Sequence, residues 1–346
     1  MSVSPTPPIS AASAVSADAA GQTFDCLVVG AGLSGLILAR QLQAQGRSVV
    51  ILDKGRGIGG RLATRRLADA QGGEGVLDYG AQYFKAQTAV FQALVAQWET
   101  QGVVTTWFNR GDVPCYRGMP NNRSIAGFLA QGLRVERQTR VDRLERRADR
   151  WRATTEGGAV WEAPFLALTA PVPQSVTLLA NTPLSPDLAA ALERVTYHAC
   201  IAVLALLSDP SQVPNPGGLK VEPEPLVWVA CNQKKGVSPT VPAVTLHASP
   251  RYSTASWDRR DGEIVQQLTE AAMPWLGSAV VAAQVHRWRY SLPDRVFGAT
   301  WGGDPALGLV LAGDAFQTEA MAQQLSPMEG AVLSGLAAAE QLLSWC

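Results

Sequence analysis

The chain has 346 residues, 47% hydrophobic and 17% charged, with 29 basic and 29 acidic side chains. Such a composition supports a globular core, and at about 150 residues per domain the length implies two domains. Zero net charge offers nothing to draw the whole chain to nucleic acid, and no apolar run reaches the roughly 18 residues that a bilayer span needs.

Residues 1–22 are rich in Ser, Ala, Pro and Thr. They lack the basic start and apolar core of a secretory signal and read as a flexible tail. An apolar run from Cys26 to Val29 follows, then Gly30, Gly32 and Gly35 in the spacing G-x-G-x-x-G. Leu33, Leu36, Ile37 and Leu42 can share one helical face, Gly46 suits the stop, and Val49 to Leu52 is a second apolar run ending in Asp53. Strand, glycine turn, helix, strand and acid make a dinucleotide site. Gly30 allows the tight turn, Gly32 admits a pyrophosphate, and Gly35 lets helix and strand pack closely. The helix start, with Ala31, Leu33 and Ser34, offers free N–H groups to phosphate, and Asp53 can accept from a ribose hydroxyl.

A second glycine cluster runs from Lys54 through Gly60 and Arg61 to Arg66. A site for NAD alone has no need of it, whereas a longer cofactor whose diphosphate continues into a ribityl chain does. Phe91, Leu94, Val95 and Trp98 fall at helical spacing with Gly102 as a stop, and core packing is the main reading for them. A helix is expected from Ser124 to Gln131. Residues 134–169 read as a β-meander with a turn at Glu156-Gly157-Gly158. Its arginines interleave with Glu136, Asp142, Glu145 and Asp149, which favours a solvated strand face over nucleic-acid binding. Phe165 to Thr169 is continuous and apolar, as a strand returning to a buried sheet would be.

From Val176 to Gln284 the strand candidates Ile201–Leu207, Leu226–Ala230 and Val244–His247 alternate with proline-rich loops. Helix candidates Pro186 to Val195 and Gly262 to Met273 flank them. This reads as a mostly antiparallel sheet with helices, the substrate domain. Val285 to Ser291 is expected to return to the first domain. Leu309 to Leu311 is an apolar strand ending in Gly313-Asp314, and Pro327 to Trp345 reads as a helix kept slim by Gly330, Ser334 and Gly335. Five cysteines, with no closely spaced pair, argue against a disulfide framework or a zinc site and for a reducing, cytoplasmic setting.

The G-G-R-x-x-T pattern at Gly59 to Thr64 resembles the flavoprotein superfamily of monoamine oxidase, protoporphyrinogen oxidase and renalase. The stretches DKGRGIGGRLATRR, LDYGAQYF and HRWRY are similar to renalase-like proteins in particular. The resemblance spans about residues 24–344. It implies an α/β fold with a Rossmann-like FAD-binding domain carrying the β-meander, and a substrate domain like that of p-hydroxybenzoate hydroxylase. The FAD-binding domain would comprise 23–87, 118–175 and 285–346, and the substrate domain 88–117 and 176–284.

The resemblance implies non-covalent FAD. Arg61 would meet its phosphate, the backbone at Val141 the adenine, and Gly313 and Asp314 the ribityl chain. Met328, Glu329 and Gly330, at a helix N-terminus, would face the flavin pyrimidine, and Gly80, Ala81, Gln82 and Tyr83 would pass beside the ring. Gln82, His247, Trp288 and Tyr290 are the expected catalytic pocket. The implied chemistry is oxidation of 2- and 6-dihydro-NAD(P) isomers, with hydride passing to flavin N5 and dioxygen reduced to hydrogen peroxide. An amine or carotenoid-type oxidase on the same fold is the alternative. It would want an aromatic cage, which Trp288 and Tyr290 could serve, and a lysine water relay, for which no lysine stands out. A non-enzymatic flavin-binding protein is the alternative of another class. No Ser-His-Asp set, paired carboxylates or metal cluster is legible. The loop between Asp314 and Pro327, and the Asn121-Asn122-Arg123 stretch, depart from the family pattern.

Overall fold

The computed structural model describes residues 23–222 and 224–345, so the expected tail at 1–22 lies outside the described residues. The chain begins with β1 (Cys26–Val29), α1 (Leu33–Ala44) and β2 (Val49–Leu52). A hairpin of β3 (Thr64–Ala68) and β4 (Glu74–Asp78) precedes α2 (Ala89–Thr100), and a second hairpin of β5 (Val104–Arg110) and β6 (Val113–Gly118) precedes α3 (Arg123–Leu129). β7 (Arg134–Glu136), β8 (Val141–Arg147), β9 (Arg150–Thr155), β10 (Val160–Ala163) and β11 (Phe165–Leu168) follow, then α4 (Val172–Leu178) and α5 (Pro186–Glu193). Next come β12 (Thr196–Leu207), β13 (Gly218–Lys220), β14 (Leu226–Cys231), β15 (Ala243–Ala248), α6 (Pro250–Ala255), α7 (Asp261–Leu276) and β16 (Val280–Arg295). β17 (Gly302–Asp304), β18 (Leu309–Leu311), α8 (Glu319–Gln324) and α9 (Pro327–Trp345) close the chain.

Two sheets organise these elements. The first has the order β17-β18-β11-β1-β2-β7 and is parallel except at β17. Its central strand is buried on both faces, as parallel strands are. Cys26 and Val28 point into a core shared with α1, α2, α3 and α9, while Leu27 and Val29 point into a core shared with β8–β10, α4 and α5. The second sheet, β13-β14-β15-β12-β16, is antiparallel throughout. Ile201, Val203 and Ala205 of β12 pack on α7, and Ala202, Leu204 and Leu206 pack on Leu77 and Tyr79. The inner face of the substrate sheet therefore lies directly on the β3–β4 hairpin of the first domain.

The expected Rossmann-like domain with a second, sheet-rich domain is present. Three details of the expectation change. Only β8–β10 form the meander, because β7 and β11 at either end join the parallel sheet. β16 pairs with β12 as far as Arg295, so we propose that the stretch from Val285 stays with the substrate domain. Phe91, Val95 and Trp98 share the core of α1 and α9, so we propose that α2 belongs with the first domain rather than with the substrate domain.

The two ends of the chain meet where α1 packs on α9. Ser34 Oγ donates to Ala331 O at 2.7 Å, and a Cβ on Gly335 would stand 2.6 Å from Ser34 O. Gly335→Val should therefore force the helices apart and cost about 1–3 kcal/mol, as overpacking does. Urea unfolding monitored by circular dichroism checks this; an unchanged midpoint contradicts it.

Candidate active site

The cofactor side is built from three loops. Gly30 has φ 112° beneath Thr169, and a Cβ on Gly35 would sit 2.1 Å from Gly30 O, so both need glycine. At Gly32, the N-cap of α1, a Cβ would meet nothing within 4 Å, and no side chain caps the helix. The first-turn N–H groups, Leu33 and Ser34 among them, are thus available to an anion. Asp53 accepts from Ala31 N and Gly55 N at 2.6 Å each, one bond per oxygen. Each oxygen keeps a second lone pair, which can take a ribose hydroxyl. The second glycine loop docks on the first through Gly59 N to Ala31 O at 2.8 Å, and Gly60 lies against Gly32.

Arg61 forks onto Asp314, with Nη1 to Oδ2 at 2.5 Å and Nη2 to Oδ1 at 2.7 Å, and also reaches Ser291 O at 3.1 Å. Burial works against the guanidinium charge, but the Asp314 carboxylate outweighs it and holds Arg61 above its usual value. Tyr197 lies under Arg61, and burial beside Asp314 raises its phenol. Gly313 N is held by Ser334 Oγ at 3.0 Å, which ties the Gly-Asp turn to α9.

Other expected residues are committed elsewhere. Glu329 is fully buried, but its carboxylate accepts from Gln87 N, Thr88 N and Thr88 Oγ1 at the start of α2. Its side chain is a cap, so only the backbone at Met328 to Gly330 is left to face a cofactor. Gln317, in the departing loop, covers Gly330, where a Cβ would stand 2.4 Å from it. Lys54 is bonded to Gln174 at 3.0 Å on the exposed side, and Val141 begins β8 as a buried residue.

Between the two sheets runs segment 78–83, irregular beyond the end of β4 at Asp78, with each backbone carbonyl from Asp78 to Gln82 held by a side chain. Asp78 O accepts from Thr245 Oγ1 (2.9 Å) and Gln82 Nε2 (2.8 Å), and Tyr79 O from His247 Nε2 (3.0 Å) and Trp288 Nε1 (3.1 Å). Gly80 O accepts from Gln82 Nε2 at 3.1 Å, and Ala81 O from Asn122 Nδ2 at 2.6 Å, with Gln82 O a further partner of Nδ2 at 3.4 Å. Ala81 N donates to Arg61 O at 2.9 Å, and a Cβ on Gly80 would lie 2.0 Å from that oxygen. The segment therefore touches the cofactor loop on one side and the substrate sheet on the other. Gln82 Oε1 is buried and has no partner among the described residues.

Three of the four expected catalytic residues gather on this segment, and Tyr290 stands apart, edge-on to Tyr197 at 5.6 Å. Trp288 stacks on Tyr79 at 5.3 Å, with His286 edge-on to both. The Tyr79 carbonyl can only accept, so His247 carries its proton on Nε2. Burial lowers His247 to about 4 against the pull of that bond, and burial beside Arg65 lowers His286 to about 4. Both are neutral imidazoles at neutral pH.

The aromatic faces here already carry cations. Arg65 lies 4.9 Å over Tyr79, Arg110 5.7 Å over Tyr83, and Lys235 4.8 Å over Trp107. Tyr83, Trp107, Phe108 and Trp228 pack together at centroid distances of 5.1 to 6.5 Å. Sequence reasoning missed the β5–β6 hairpin that brings Trp107 and Phe108, although its two-residue link Gly111-Asp112 is a hairpin turn signal. It also missed Lys235, fully buried and 2.9 Å from Asp78. The expectation that no lysine stands out is therefore corrected by Lys235.

Residues 28–98 match the NAD(P)-binding Rossmann-like domain family, and residues 119–343 match the flavin containing amine oxidoreductase family. The chain belongs to the flavin containing amine oxidoreductases. It is an FAD-dependent oxidoreductase, as the family and the dinucleotide fold together require. A crystal structure of a provisionally named protoporphyrinogen oxidase from Exiguobacterium sp. 255-15 shares the fold, with TM-score 0.69 and 13% identity over 93% of this chain and 99% of that one. The donor set described above fits FAD: free N–H groups at α1, open approach at Gly32, the Asp53 carboxylate, and the Arg61–Asp314 pair. Among the described residues no helix is long and apolar enough to cross a membrane, and no group of His, Cys, Asp and Glu could hold a metal ion.

Asp53→Ala should weaken FAD binding. A hydrogen bond to a charged group is worth about 1.5–3 kcal/mol, or about tenfold to a hundredfold in affinity. Fluorescence titration of the apoprotein reads this directly; an unchanged dissociation constant would remove Asp53 from the ribose.

The histidines predict a pH effect of known sign. Their folded values of about 4 lie below the unfolded value of about 6.5, so the folded state resists protonation. The stability they contribute is complete above about 6.5 and is lost as pH falls toward 4. Melting temperature should drop through that window, and His247→Gln should flatten the drop.

Proposed function

We propose that this oxidoreductase is a renalase-like oxidase of dihydronicotinamides, taking a hydride from 2- or 6-dihydro-NAD(P). The observation that carries the choice of donor is that cations of the chain lie over Tyr79, Tyr83 and Trp107, while Trp288 is stacked on Tyr79 and Tyr290 stands apart against Tyr197. A substrate ammonium caged on a ring gains about 0.5–2 kcal/mol. A guanidinium about 8 Å away repels it by about 2 kcal/mol at an effective dielectric of 20. Arg65 alone is enough to cancel the gain at Tyr79, while Lys235, neutralised by Asp78, occupies a face of Trp107. Arg65 and Arg110 attract a donor that bears phosphates.

The chain's part is placement rather than proton transfer. The α1 start and Gly32 hold the diphosphate, Asp53 the ribose, and Arg61 and Asp314 the stretch between diphosphate and ribityl. The start of α9 at Met328 would offer its positive dipole end to the flavin pyrimidine. Segment 79–83 forms the wall at which a flat donor lies, backed by Trp288 and His247. When bound, FAD supplies the hydride acceptor and passes the electrons to dioxygen, giving hydrogen peroxide. The donor leaves as an aromatic pyridinium, so no general base is needed. Neutral His247, with Nε2–H committed to Tyr79 O, is suited to support and not to abstraction.

Mixing the anaerobic holoenzyme with each donor class tests this. The flavin's visible band should bleach fast with the 2- or 6-dihydro isomers and slowly with simple amines. Trp288→Ala should slow bleaching more than it weakens FAD binding. An amine that bleaches the flavin faster than either isomer would establish the amine-oxidase alternative.

A further inference from the structure

Lys235 and Asp78 are both fully buried, with Nζ 2.9 Å from Oδ2. A buried ion pair seldom adds net stability, because removing two charges from water offsets their attraction. Its use lies in fixing one arrangement. The partners come from opposite sides of the domain junction. Asp78 ends β4 in the first domain, and Lys235 sits in the turn after β14 in the substrate sheet.

Other groups converge on the pair. The Asp78 carboxylate also accepts from Thr64 Oγ1 at 2.5 Å and Asn122 N at 3.2 Å, while Asp78 N donates to Asn232 Oδ1 at 3.1 Å. Arg117 of β6 and neutral His247 of β15 are the other titratable groups that feel the pair. Trp107 covers the ammonium. The Nζ–Oδ2 contact is an ion pair, and Lys235 Nζ has no well-aligned hydrogen bond among the described residues.

We propose that Lys235 is a positioning residue: paired with Asp78, it locks the substrate sheet onto segment 78–82 and so fixes the wall beside the cofactor loop. The reach to the cofactor follows from contacts already given. Asp78 O anchors Gln82, Gly80 lies against Arg61 O, and Gly60 lies against Gly32. This rests on the reading of the Gly32–Arg61 loops as the FAD site.

The test compares the holoenzyme with Lys235→Met, Asp78→Asn and the double variant, reading melting temperature and FAD dissociation constant across pH. Lys235→Met leaves a buried carboxylate without its cation, which takes up a proton more readily than in the unfolded chain. Its stability relative to the double variant must then fall as pH rises. Asp78→Asn leaves a buried ammonium, which sheds its proton, so its stability relative to the double variant must rise with pH. FAD affinity should follow the same opposite slopes, weaker by about tenfold at neutral pH in each single variant. The double variant should recover most of that loss. If both single variants track the wild-type pH profile, the proposal is overturned. Asp53→Ala separates the two readings. If it weakens FAD but Lys235→Met does not, the pair positions nothing at the site and the proposal falls. If Asp53→Ala leaves FAD binding unchanged, the cofactor placement fails, and the opposite stability slopes alone decide the lock.

Discussion

The constraint on which the rest depends is the satisfaction of segment 78–82. Past Asp78, the last residue of β4, it has no regular secondary structure, and it lies buried or half-buried against the two sheets, where its peptide groups need partners. Its carbonyls are therefore met by side chains sent from everywhere around it: Thr245 and His247 from β15, Trp288 from β16, Asn122 from the start of α3, and Gln82 from the segment itself. Each donor is neutral and short-reaching, which fixes the sheet and the hairpin in one relation. The histidine and tryptophan that family likeness marks as pocket residues have their N–H groups spent on this task. They shape the site by holding the backbone of Tyr79.

Close approach by glycine does the same for the cofactor side. Gly35 against Gly30, Gly335 against Ser34 and Gly80 against Arg61 leave no room for a Cβ, and they bring α1, α9 and the second glycine loop to one place. Gly32 differs from them in having open space before it. One motif thus combines two uses: its first and third glycines serve packing, and its middle glycine serves approach. The Arg61–Asp314 fork then joins residues from the two ends of the chain, with a carboxylate only 5% exposed. A cationic fork and an acid held together can each turn to a phosphate or a hydroxyl while staying paired on the other side.

Much of this was legible in the sequence because it is local. The strands Cys26–Val29 and Val49–Leu52, the helix between them, and the terminal helix Pro327–Trp345 follow from periodicity and glycine punctuation, and lie where expected. The substrate strands and α7 were legible for the same reason. What sequence could not carry was anything decided across the domain junction. β16 reads like a strand of either domain, and only its ladder with β12 assigns it. Lys235 sits in a polar turn, Asn-Gln-Lys-Lys-Gly, where nothing distinguishes a buried ammonium from a solvated one. Asn122 looked like a departure from the family pattern and is the donor that closes the Ala81 and Gln82 carbonyls.

The central claim is that the chain places a hydride donor and leaves proton transfer to no side chain. Placing deuterium on the transferring carbon of a 2- or 6-dihydronicotinamide donor, and following anaerobic flavin bleaching across the neutral pH range, tests it most directly. The account predicts a clear slowing by deuterium and a rate that does not bend near 6.5, the usual histidine value, because His247 and His286 stay neutral. A rate insensitive to the label, or one that rises with an ionisation in that range, would contradict it.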